Sequence, residues 1–288
     1  MVAIIDSPDF MLNDIDVNDL SKSKKLYLLI KGLLVGFIYK RLNGKLFCYM
    51  LNLLFPTKSS ISYNNDNYLK NVFSNKKIHY PNKRIVRVVN NYKFHFNFLF
   101  ETYCLNEIDF KHGDTIVDCG ANVGELIYSF HQKNMLINYI SFEPEPNSFN
   151  SLTTNLKQFE NSINHNVALS DFEGNVDFFI DSLGGNSSLE YFGSNEKVSI
   201  EAKTLDSYHF KNIKLFKVEA EGHEEEVLKG ALNSLQHIEY ISVDYGPEKG
   251  TDQESTISQV VKVLYDNNFE LVNSSRHRQI GLFKNQKL

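Results

Sequence analysis

Three short segments hold the residues best suited to chemistry. The first, Asp118-Cys119-Gly120-Ala121-Asn122-Val123-Gly124, follows a short β-branched run (Thr115 to Cys119) and precedes a helix-like stretch, so it reads as a strand-to-helix turn. Gly120 and Gly124 allow a tight turn and a close backbone approach to a ligand. The helix beyond aims free amides and its positive dipole end at that ligand. A pyrophosphate loop of the G-x-G-x-x-G type would carry glycine where Asn122 stands, and Glu125 beside the loop repels a pyrophosphate. Asp118, just before the turn, offers a carboxylate to a cationic group. The loop therefore favours a nucleoside that carries an amino acid, S-adenosylmethionine (SAM), over a nicotinamide dinucleotide.

The second segment is Ser141-Phe142-Glu143-Pro144-Glu145-Pro146. Glu143 ends the next strand-like run, about twenty residues past Gly124, where an acid takes the ribose hydroxyls of an adenosine cofactor. Its two acceptor oxygens match a vicinal diol. The third segment runs from Leu215 to Glu224. Glu219 and Glu221 share a face if the strand continues through them, at the carboxyl end where open α/β sheets bind ligands. His223 begins the following turn. Such a cluster suits a base, a metal or the methionine end of the cofactor. Glu224, Glu225 and Glu226 read instead as acids at a helix N-terminus.

The elements that must hold these segments alternate in type. Strands are predicted at 115–119, 139–142, 163–169, 213–218 and 239–243, with helices at 125–133, 147–160, 224–235 and 257–267, and two closing strands at 269–273 and 279–283. Helical crossovers between strands predict an α/β, doubly wound, mostly parallel sheet covered on both faces. Residues 171–212 break this rhythm. Alternating stretches (176–180 and 198–202) flank the glycine-rich Gly184 to Ser188, which predicts a β-rich insertion between the third and fourth strands.

Composition excludes several classes. The 288 residues are 42% hydrophobic and 23% charged, ordinary for a globular chain and unlike a disordered or collagen-like one. A net charge of -5 removes the wholly basic character of many nucleic-acid binders. Cys48, Cys104 and Cys119 are an odd set at irregular spacing, neither a disulfide framework nor a zinc pattern, which fits a reducing cytoplasm.

Charge is uneven along the chain. Asp6, Asp9, Asp14, Asp16 and Asp19 precede a stretch from Ser21 to Asn65 with Lys22, Lys24, Lys25, Lys31, Lys40, Arg41, Lys45 and Lys58 and no acid. This stretch holds two apolar blocks, 26–39 and 46–55, each too short to cross a bilayer. Two readings stand side by side: short amphipathic helices on the anionic inner membrane face, or a helical hairpin packed on the main domain or on a second subunit. Boundaries are expected at 1–58 (helical, basic), 59–99 (a connecting region packed on the core) and 100–288 (the main domain).

The loop DTIVDCGANVG, the strand end ISFEPEPNSF, the segment NVALSDFEG, the hydrophilic TLDSY and the block KVEAEGHEEEVLKGA together resemble the FkbM-type SAM-dependent methyltransferases over roughly residues 100–283. The resemblance implies the class I methyltransferase fold, a seven-stranded sheet with its last strand antiparallel. It also implies methyl transfer from SAM to a hydroxyl, often on a sugar of a natural product or surface glycan. Carried over, Gly120, Asn122 and Gly124 line the cofactor, Glu143 holds its ribose, and Val167 and Ala168 flank its adenine. The family commonly has Asp where this chain has Glu219. A sugar hydroxyl needs a base at neutral pH, and His223 and Glu219 are the candidates. A divalent ion on Glu219, Glu221 and Asp244 is the less favoured way to acidify it. The expectation is thus a cytoplasmic enzyme with a sugar or lipid-linked saccharide acceptor, in O-antigen or other lipopolysaccharide or surface polysaccharide synthesis. No nucleic-acid acceptor is expected: no Asn-Pro-Pro-aromatic block ends the fourth strand. The alternatives are a nicotinamide-dependent oxidoreductase on the same sheet and a catalytically silent glycan-binding protein.

Overall fold

A computed structural model describes residues 20–56, 60–180, 187–194 and 196–288. The acidic stretch Asp6 to Asp19, Lys58, and Gly184 to Asn186 of the glycine-rich loop lie outside the described residues. The chain divides into two units, Met1–Asn97 and Phe98–Leu288. The stretch expected at 1–58 and residues 59–97 of the connecting region lie in the first.

In the first unit the two apolar blocks form helices α1 (Lys22–Arg41) and α2 (Gly44–Leu54). Ser21 caps α1 by accepting from the Lys24 amide at 3.4 Å. At its other end Lys83 donates Nζ–H to the carbonyls of Tyr39 and Leu42, which satisfies orphan acceptors of the last turn. An antiparallel meander follows: β1 (Ile61–Asn64), β2 (Asn67–Val72) and β3 (Lys76–Tyr80). Asn52 of α2 grips Ile61 with both ends of its amide, donating to the carbonyl at 2.8 Å and accepting from the N–H at 2.9 Å. Phe47, Leu51, Val72, Ile78 and Tyr80 are buried. The short α3 (Val86–Val89) comes next, and the division between the units falls inside α4 (Tyr92–Thr102).

The second unit is α/β. Its strands and helices are β4 (Thr115–Cys119), α5 (Glu125–Gln132), β5 (Asn138–Phe142), α6 (Pro146–Leu156), β6 (Ser162–His165), β7 (Ala168–Leu169), β8 (Gly174–Phe179), β9 (Lys197–Lys203), β10 (Ile213–Val218), α7 (Glu224–Lys229), β11 (Ile238–Asp244), β12 (Pro247–Lys249), β13 (Glu254–Ser255), α8 (Ile257–Asp266), β14 (Phe269–Ser274) and β15 (Ile280–Asn285). Seven of them form one sheet in the order β14-β15-β11-β10-β4-β5-β6. The pairs β11·β10, β10·β4, β4·β5 and β5·β6 are parallel, and β15 runs antiparallel to both neighbours. This is the mostly parallel, seven-stranded sheet of the class I methyltransferase type, with its last strand reversed. The central strands are β-branched or aromatic and buried on both faces, as helix-covered parallel strands must be. Val117, Ile140, Phe216, Val218, Ile241 and Phe283 share their core with Val227, Leu228, Val260 and Leu264.

Two elements depart from the sequence reading for local reasons. The single strand expected at 163–169 divides between two sheets. Asn166 donates its amide to the carbonyls of Glu143 (2.8 Å) and Pro144 (3.1 Å), and so turns the chain between β6 and β7. β7, β9 and β8 then form a separate three-stranded sheet, the insertion itself. The helix expected to reach Leu235 ends at Lys229 with Gly230 as its cap, and that glycine passes against the Ser170 carbonyl: a Cβ there would lie 1.8 Å from that oxygen. Helix α6 starts where Pro146 and Glu145 place it. Proline occupies the first turn, and the Glu145 carboxylate accepts from the amides of Asn147 and Ser148.

Candidate active site

The site is assembled at the carboxyl ends of β4, β5, β10 and β11. Because β4 and β10 are in parallel register, Asp118 and Lys217 are cross-strand neighbours. Both are buried, and Lys217 Nζ lies 3.0 Å from Asp118 Oδ1 and 3.2 Å from Glu219 Oε2. The same ammonium donates to the carbonyls of Cys119 (3.0 Å) and Gly120 (2.9 Å). Burial opposes its charge, but Asp118, Tyr103 and Glu219 hold it protonated well above the ordinary lysine range. The cation that Asp118 meets is therefore Lys217 of this chain, with Tyr139 donating its hydroxyl to the other carboxylate oxygen. Asp118 acts on the turn through Lys217, which ties down the first two carbonyls of the turn. The expected direct carboxylate for a cationic ligand is already engaged.

The turn itself explains its glycines. Gly120 has φ +72°, and a Cβ on it would fall 2.0 Å from the Glu219 carbonyl oxygen, so the backbone of one strand end lies against the next. At Gly124 (φ +81°) a Cβ would meet Leu156 and Leu152 of α6, so this glycine seats α5 against α6. Asn122 takes the left-handed conformation at φ 50°, which asparagine tolerates. Of the three, only Asn122 is joined directly to Glu143. Its N–H donates to Glu143 Oε2 at 2.7 Å, while the Glu145 N–H donates to Oε1 at 2.9 Å. Glu143 is 6% exposed, and burial pushes its carboxyl up to about 7 against those two backbone donors. Beside it, His165 stacks on Phe142 (4.8 Å between centroids) and meets the edge of Tyr208. His165 Nε2 is buried with no hydrogen-bond partner among the described residues. Val167 packs in the main core, and Ala168 in a separate cluster with Phe178 and Ile200; neither stands out as an open face.

The segment after β10 is not a continued strand. β10 ends at Val218, and Glu221 adopts φ 50°, so the expected two-residue alternation of Glu219 and Glu221 does not apply. Glu219 is pinned instead. It accepts from the Tyr103 hydroxyl and pairs with Arg278 at 2.6 Å. Burial raises its carboxyl, but Lys217, Arg278 and the tyrosine outweigh this and hold it well below the usual carboxylate range. A carboxylate so held is a poor proton acceptor, which corrects its expected role as base. His223 is also committed: Nε2 lies 2.9 Å from Ser170 Oγ and Nδ1 lies 3.0 Å from Glu190 Oε1. This makes it a link between the insertion and the turn. Glu224 caps its own turn by accepting from the amides of Ala220 and Gly222.

The alternative metal set does not form. Arg278 bridges Glu219 and Asp244, with Nη2 2.8 Å from Asp244 Oδ2. Among the described residues, the group of acids and histidine close enough to share an ion is Glu190, His223 and Glu226. There Lys249 already supplies a cation, 2.8 Å from Glu226.

Sequence reasoning missed Lys217, Tyr103, Arg278 and Glu248. Glu248 lies beyond β11, with Oε1 3.3 Å from Arg278 Nη2 and Oε2 buried without a hydrogen-bond partner among the described residues. Burial and the neighbouring Asp244 raise its carboxyl to about 7. Lys217 had a signal: a lysine inside an apolar strand must be paired. Arg278, in a polar turn far along the chain, had none.

The chain is 30% identical over 135 residues to the hexuronic acid methyltransferase AglP of Haloferax volcanii. The match covers 46% of this chain and 55% of that protein, so the chain spans about half the length of the curated relative. Among solved structures, methyltransferase FkbM from Methylobacillus flagellatus KT is similar at 15% identity and a TM-score of 0.45, over 69% of this chain and 59% of that one. M. capricolum TrmK with S-adenosyl-homocysteine is similar at 13% identity and a TM-score of 0.36, over 67% and 69%. The family model described as the methyltransferase FkbM domain matches residues 118–271, more than half of the chain and all of the strand ends described above. The chain belongs to the FkbM methyltransferase family.

Proposed function

We propose that the protein is a SAM-dependent O-methyltransferase whose acceptor is a sugar hydroxyl of a surface polysaccharide or lipid-linked glycan, modified at the cytoplasmic face. The observation that carries the cofactor assignment is Glu143. A buried carboxylate at the end of β5, joined to the backbone of the β4 turn, stands where a ribose diol is gripped in open α/β sheets. The unpartnered His165 Nε2 beside it fits the polar edge of an adenine. Glu143 would hold the ribose, Asn122 the turn against it, and Lys217 the shape of the turn. SAM supplies a methyl group already activated by its sulfonium, so transfer needs chiefly alignment and removal of one proton. For that proton the geometry favours Glu248: its free oxygen and a carboxyl titrating near neutrality suit a general base. Arg278, held by Glu219 and Asp244, positions it. A relative that acts on a hexuronic acid supports a sugar acceptor.

The test is incubation of the purified chain with methyl-labelled SAM and uronic-acid or neutral glycans, read by mass spectrometry. The reading expects a gain of one CH₂ on a sugar oxygen. Label transferred to nitrogen, or to none of these acceptors while SAM binds, would overturn the acceptor assignment.

A further inference from the structure

We propose that α1 and α2 form a docking face for an anionic lipid surface, lying in the plane of the headgroups without crossing. Every exposed residue of α1 between positions 26 and 37 is large and apolar: Leu26, Tyr27, Ile30, Leu33, Leu34 and Phe37, between 47% and 67% exposed. They recur at helical spacing, so they form one stripe, while Val35 and Ile38 of the same helix are buried inward. α2 adds Leu46, Tyr49 and Leu53, again at helical spacing and exposed. Patches of this kind on a folded chain mark a binding surface. No described helix is long and apolar enough to cross a membrane.

Charge selects the occupant. The α1 stripe is bounded at one end by Lys22, Lys24 and Lys25 and at the other by Lys40 and Arg41, with Lys45 beginning α2, and no acid lies between residues 21 and 65. A second copy paired on this stripe, parallel or antiparallel, would set cation against cation at both ends with no carboxylate on either helix to answer them. Lipid phosphates answer them directly, and long basic side chains reach headgroups while apolar neighbours insert. Lys31 is otherwise engaged, with its ammonium 3.9 Å from the Phe55 ring centroid. The Asp-rich residues 6–19 precede the face, so their charge opposes the lipid and weakens the binding.

The experiment is flotation of the full chain with phosphatidylcholine vesicles, with and without phosphatidylglycerol. The chain is expected to float with the anionic vesicles only, and less at high salt. Ile30→Gln/Leu33→Gln/Phe37→Gln is expected to abolish flotation. Lys24→Gln, Lys25→Gln and Lys40→Gln are each expected to weaken it about fivefold. Removing residues 1–19 is expected to strengthen it. A dye on Leu33→Cys, readable because the native cysteines are buried, is expected to brighten and shift to the blue with anionic vesicles; this reading does not depend on the triple variant folding. The proposal is overturned if the dye is unmoved, if the wild type does not float, or if the chain forms a dimer in solution that the triple variant dissolves. None of these outcomes bears on methyl transfer.

Discussion

Replacing Glu143 with glutamine separates the stability of the site from its use. In the folded chain burial lifts this carboxyl from 4.5 to about 7. A raised carboxyl binds its proton more tightly folded than unfolded. Its stabilising contribution is therefore complete below pH 4.5, declines as pH rises, and is gone above about 7. The loss is about 3 kcal/mol, the free energy of that interval. Glu143→Gln cannot titrate and escapes it. Glutamine also forfeits one of the two acceptor oxygens now used by the Asn122 and Glu145 amides, leaving one N–H unpaired at a cost of about 1–2 kcal/mol. Urea unfolding followed by circular dichroism should thus find the variant slightly less stable than wild type near pH 4.5 and about 1–2 kcal/mol more stable at pH 8. The change in their difference should be about 3 kcal/mol. SAM affinity should move the other way. Losing a charge-assisted bond to the ribose costs about 1.5–3 kcal/mol, roughly a 10- to 100-fold weaker Kd. Wild-type SAM affinity should also rise with pH up to about 7 and then level. A stability difference independent of pH, together with an unchanged Kd, would refute both the burial argument and the ribose assignment.

Other substitutions test the frame around it. Lys217→Met leaves Asp118 and Glu219 buried without their cation and should cost about 3–5 kcal/mol in thermal or urea unfolding, with Asp118→Asn added to it restoring part of that loss. Gly120→Ala places a Cβ on the Glu219 carbonyl in a left-handed turn; it should cost about 2–4 kcal/mol and weaken SAM binding measured by calorimetry. Glu248→Gln should leave the SAM Kd unchanged and lower kcat by about 10²–10⁴, while the wild-type rate rises with pH through about 7 as the carboxylate forms. An unchanged kcat in that variant would remove Glu248 as the base.

The sheet was legible because each central strand is a short β-branched or aromatic run bounded by a turn, and helical crossovers of that length allow little besides parallel pairing. The Asp118–Gly124 turn and Glu143 were legible for the same reason: their places follow from strand ends. What the sequence hid was side-chain partnership across the chain. Asp118 reads as an open carboxylate until β10 is set beside β4, and then Lys217 faces it in register. Glu219 reads as a base until Tyr103 and Arg278, distant in sequence, converge on it. His223 reads as a free imidazole until Glu190 of the insertion and Ser170 reach its two nitrogens. The break at residue 166 turned on one asparagine amide, which carries no periodic signal.

The account's central claim is tested most directly by equilibrium binding of SAM, S-adenosyl-homocysteine and NADH to the full chain. It predicts one SAM or S-adenosyl-homocysteine per chain, each displacing the other and both weakened by Glu143→Gln, with no NADH bound. NADH bound at this site, or SAM bound with the same affinity when Glu143 is replaced, would contradict it.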